Sequence, residues 1–178
     1  MNLARSTDID DVEYEQFLDG FAGRPGTALA YHYPFYLRFL SETAYPGSVL
    51  RFVTARNGRG DLIGVLPALN VKTPQLNVWL SLAYFGPNAG ALVADADSAE
   101  GRAAVKALAA AGEVDARERE CGSMTIYTPI AADPGAYRTG LEPIDFEVSR
   151  TTQSVTIPPN PKDSPWPRKV RYDIRRAA

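Results

Sequence analysis

Between Asp8 and Phe21 the apolar positions Tyr14, Phe17, Leu18 and Phe21 recur at i, i+3, i+4 and i+7. That period draws one apolar stripe along a helix, and Asp10 or Asp11 can cap its start. A turn at Gly23 to Gly26 separates it from a second predicted helix. This one begins near Pro34, a residue suited to the first helical position, and places Tyr36, Phe39, Leu40 and Thr43 on one face before Pro46 and Gly47 stop it. The period then changes to two. Residues 48–56 and 62–71 are rich in Val, Leu, Ile and Phe, and a loop from Asn57 to Asp61 with two glycines joins them, which predicts a β-hairpin. Further strands are predicted at residues 77–84 and 90–94. A long alanine-rich helix follows from a Ser98 cap towards Glu118, interrupted or ended near Gly112. Strands return at residues 123–128 and 145–157, with a small helix or loop between them. Residues 164–178 are helical in pattern and end without a C-cap signal, which predicts a chain cut mid-helix.

Helices and strands interleaved in this order predict an α/β (α+β) domain: a mixed, largely antiparallel sheet flanked by helices, with the hairpin of residues 48–71 in its middle. The chain has 178 residues, enough for one sizeable core. Its formal charge of −2 is unevenly spread. From Lys162 to Ala178 six basic residues face two acidic ones, a balance of +4, so the remainder carries −6. An acidic chain with a basic end argues against a DNA-binding role, since between Arg168 and Arg176 Tyr172 is the one aromatic residue set among the cations. Cys121 is the sole cysteine, so no intrachain disulfide can form. The N-terminus has no apolar secretory core, and the longest apolar run, Val78 to Phe85, is far below the roughly 20 residues of a membrane span. The expected location is therefore the cytoplasm.

Candidate chemistry is sparse. His32, the single histidine, is a possible general base, although a histidine beside a helix start is more often structural. Cys121 has no histidine near it in sequence to activate it. No cluster of His, Cys and carboxylates has metal-ligand spacing. Asp8, Asp10 and Asp11 read as charges that favour a helix N-terminus. The glycines of Asn57 to Asp61 precede a strand rather than a helix, so they read as a hairpin loop and not as a phosphate cradle. Tyr33, with its neighbours Tyr31 and Tyr36, and Tyr84 beside Gly86 and Pro87 are candidates to line a groove with rings and hydroxyl donors. At the basic end Arg168, Arg171 and Arg175 share one helical face, opposite the apolar pair Val170 and Ile174. Such arginines suit phosphate or carboxylate.

Four segments carry a resemblance: AYHYPFYL from Ala30 to Leu37, LIGVLP from Leu62 to Pro67, YFGP from Tyr84 to Pro87 followed by GALV, and RKVRYDIRRA from Arg168 to Ala177. Together with the element order they resemble the FemAB-like and cellulose-biosynthesis-type acetyltransferases of the GNAT superfamily. The last segment is the most specific, being similar to the basic helix that links the family's two GNAT-like halves. The resemblance implies an acyltransferase, moving an acetyl or aminoacyl group onto a cell-envelope or polysaccharide precursor. Residues 1–160 would form its N-terminal, acceptor-side domain, and residues 161–178 would start the linking helix towards a second half that this sequence does not contain. It further implies Tyr33, Tyr84, Arg171 and Arg175 as substrate-binding residues. The donor, an acyl-CoA or an aminoacyl-tRNA, would sit on that second half, with no cofactor in this chain. The alternative is a GNAT-shaped binding or scaffold module without chemistry.

Overall fold

The hairpin predicted from the two-residue period forms the middle of the sheet. The computed structural model describes residues 1–21, 32–81, 90–128, 134–141 and 147. In chain order its elements are β1 (Asn2–Ser6), α1 (Asp11–Asp19), α2 (Pro34–Phe39) with a π-helical turn at Leu40–Ala44, β2 (Val49–Arg56), β3 (Leu62–Lys72), β4 (Asn77–Leu80), β5 (Leu92–Val93), α3 (Ala99–Glu118), β6 (Cys121–Thr125) and α4 (Pro134–Gly140). From β1 through β2 and β3 to β4 each strand runs antiparallel to the next, and β5 adds to β3 in the same sense. Beyond β4 lies β6, parallel to it and reached through the crossover helix α3. The described residues thus form a mixed α+β fold with a mostly antiparallel six-stranded sheet. Met1–Val148 clusters as one unit.

Both faces of the sheet are covered, which is why β2 reads Arg51 to Ala55 as five consecutive buried residues instead of an alternation. Phe52, Val65, Leu69 and Val71 pack with Tyr14, Leu18, Phe21, Leu37 and Leu40 of the first helices. Val53, Ala55, Leu66, Ala68 and Trp79 pack on the other face with Ala104, Val105, Leu108 and Ala109 of α3 and Tyr137 of α4. Burial of a large aliphatic side chain contributes about 1.5–3 kcal/mol, so these two layers hold the helices to the sheet.

Local chemistry sets the element ends. Asp10 caps α1 by accepting from the Glu13 amide at 3.0 Å, and Ser98 caps α3 by accepting from the Gly101 amide at 2.9 Å. In the hairpin loop Asn57 Oδ1 accepts from the amides of Arg59 at 2.8 Å and Asp61 at 3.0 Å, and Gly60 takes φ +93°, a conformation that favours glycine.

Two expectations need correction. The buried face of the second helix is Pro34, Leu37 and Leu40, whereas Phe39 and Thr43 are exposed. The inward face is already set within α2, where Leu37 and not Phe39 turns to the core, and the π-helical turn continues from it with Leu40 buried. The alanine-rich helix runs unbroken through Gly112, and that glycine lies under Trp79, Leu66 and Met124, where an added Cβ would meet them at 3.1–3.3 Å. Strand β1 was not predicted, since residues 2–5 are all exposed and offer no apolar alternation. The strand expected at residues 145–157 and the helix at residues 164–178 lie outside the described residues.

Candidate functional site

The segment from His32 to Tyr36 opens α2. Tyr33 is the N-cap residue, and its carbonyl accepts from the amides of Tyr36 at 3.0 Å and Leu37 at 3.2 Å. Its half-buried ring leans on the core below and lies 6.2 Å from the ring of Phe35, tilted by 40°. Tyr36 and Phe39 form a second tilted pair at 6.3 Å. The helix is braced against α1 by Arg38, which donates to both oxygens of Asp11 and also pairs with Asp8 at 3.6 Å. Hydrogen bonding from that guanidinium outweighs burial and holds the Asp11 carboxyl below its usual range. Tyr33 therefore sits on a fixed support. His32 is fully buried, so solvent does not reach it directly. The other candidates, Tyr84, Arg171 and Arg175, lie outside the described residues.

A second polar constellation, absent from the sequence reading, joins α3 to the opposite face of the sheet. Asp115 of α3 accepts from Arg51 of β2 through Nη2 at 2.7 Å and Nε at 3.1 Å, and from Trp79 Nε1 of β4 at 3.0 Å. Arg119 Nε adds a weaker contact at 3.3 Å to both oxygens. The Arg51 and Asp115 side chains are 7% and 2% exposed. Burial pushes the Asp115 carboxyl up. The hydrogen bonds from Arg51 and Trp79 and the charges of Arg51 and Arg119 outweigh it, and the group stays below the usual carboxylate range. A carboxylate so fully paired holds the fold and has no lone pair facing a ligand. Its signal was in the sequence. Gly101, Ala104, Val105, Leu108, Ala109, Gly112, Asp115 and Ala116 form the buried stripe of α3. A charge on such a stripe requires a buried partner of opposite sign.

Cys121, at the start of β6, is half-buried, and its sulfur accepts from Asn70 Nδ2 at 3.0 Å. Burial and then the Asp115 charge push its thiol up, against the opposing pull of Arg119 and Asn70, which is the reverse of what a nucleophilic thiolate needs. At the N-terminus of α3 the residues around the Ser98 cap include the exposed Asp95, Asp97 and Glu100. Three carboxylates there disfavour the binding of an anion.

The chain matches no family model, no curated protein and no solved structure. Among the described residues no group of three or more His, Cys, Asp or Glu side chains is placed to hold a metal ion. No described helix is long and apolar enough to cross a membrane.

Proposed function

We propose that the chain is the acceptor-side half of a GNAT-like acyltransferase of the FemAB type, acting on a cell-envelope or polysaccharide precursor in the cytoplasm. The observation that carries this reading is the element order within one sheet. Two helices lie between β1 and β2, an antiparallel run leads to β4, and α3 then crosses over to the parallel strand β6. That order resembles the GNAT arrangement, and the four sequence segments noted above add to it. Acyl transfer to an amine needs a deprotonated nucleophile and donors for the oxyanion of the tetrahedral intermediate. In this reading Tyr33 lends a ring and a hydroxyl to the acceptor groove, with Tyr84, Arg171 and Arg175 as its further members. The donor, acyl-CoA or aminoacyl-tRNA, binds a second GNAT-like half that packs against this one. The carboxylates around Ser98 support placing donor phosphates away from α3.

A second reading, a binding or scaffold module without chemistry, is favoured by the pairing of Asp115. The described buried carboxylate is consumed by Arg51, Trp79 and Arg119 and has no proton to move near neutral pH. Isothermal titration with soluble peptidoglycan-type glycopeptides and with glucan oligosaccharides tests the acceptor-side assignment. One class is expected to bind, and Tyr33→Ala is expected to weaken it by about tenfold, some 1.4 kcal/mol, beyond whatever the loss of its packing costs the fold, which a thermal melt of the variant measures separately. Binding of neither class would contradict the acceptor-side assignment. Binding that Tyr33→Ala leaves intact would remove Tyr33 from the groove.

A further inference from the structure

We draw no further inference here: the strongest candidate, the exposed apolar face of α2 that carries Phe35 and Phe39, is an unpartnered surface, and nothing in the structure shows what covers it.

Discussion

Asp115 lies on the buried stripe of an alanine-rich helix, three residues after Gly112, and it meets Arg51 and Trp79 from two different strands. Burying a charged pair costs several kcal/mol of desolvation per ion, so the pair contributes little net stability. Removing one member, however, strands the other charge. Asp115→Asn is therefore expected to destabilise the chain by about 3–5 kcal/mol in urea unfolding, while the double variant Arg51→Met with Asp115→Leu recovers part of that loss, the buried Trp79 N–H still lacking its acceptor. A double variant as damaged as the single one would show that something other than the stranded charge sets the cost. Gly101 is equally confined. A Cβ there would lie 1.7 Å from the Asp95 carbonyl oxygen, which is backbone and cannot swing aside. Gly101→Ala should lose at least the roughly 1–3 kcal/mol of an overpacked site, despite alanine's better helix propensity. A stabilised variant would contradict the close approach of that turn to α3. The pairing of Asp115 could be foreseen in kind, from a charge on an apolar stripe. Its partners could not, because Arg51 is 64 residues away in the chain and strand register alone brings it across.

Elements differ in how much of themselves the sequence displayed. The hairpin and α3 were legible because period, loop chemistry and the Ser98 cap agree. Strand β1 was not, since its side chains are exposed and its place follows from backbone pairing to β2. In α2 the onset at Pro34 was legible but the buried face was not, because apolar residues stand on both sides of this short helix: Leu37 is buried while Phe35 and Phe39 are exposed. Paired substitutions separate the two faces. Leu40→Ala should cost about 2–5 kcal/mol, as for a core leucine, whereas Phe39→Ala, 54% exposed in the structure, should cost about 0.5 kcal/mol or less. Equal costs in thermal melts would contradict the observed phase. Of the candidate site, Tyr33 could be located on its helix, while Tyr84, Arg171 and Arg175 belong to stretches outside the described residues. No spacing rule joins positions that far apart.

For the whole molecule, charge couples the layers. Asp11 pairs with Arg38 between α1 and α2, Glu13 with Arg56 between α1 and β2, and Asp115 with Arg51 between α3 and β2. All three carboxyls are held below their ordinary values. A depressed folded-state value contributes stability that is present above the unfolded value, about 3.9 for Asp and 4.3 for Glu, and is lost as pH falls through the folded one. The partly exposed pairs at Asp11 and Glu13 add little, so Asp115 dominates. Urea midpoints should be nearly level from about pH 6 to 8 and fall below about pH 4, with a shallower fall in Asp115→Asn. A wild-type midpoint that holds steady to about pH 2 would contradict this coupling. The fold class was legible from the switch of period at Ser48; the parallel β4–β6 pair was not, since nothing local distinguishes it from an antiparallel return.

In the proposed function this chain holds the acceptor and leaves the acyl donor to another half. Isothermal titration of the 178-residue chain with acetyl-CoA, beside the glycopeptide and glucan acceptors in the same buffer, tests it most directly. Heat of binding is expected with one acceptor class and none with acetyl-CoA. Micromolar acetyl-CoA affinity with no acceptor binding would contradict it and would place the donor site within this chain.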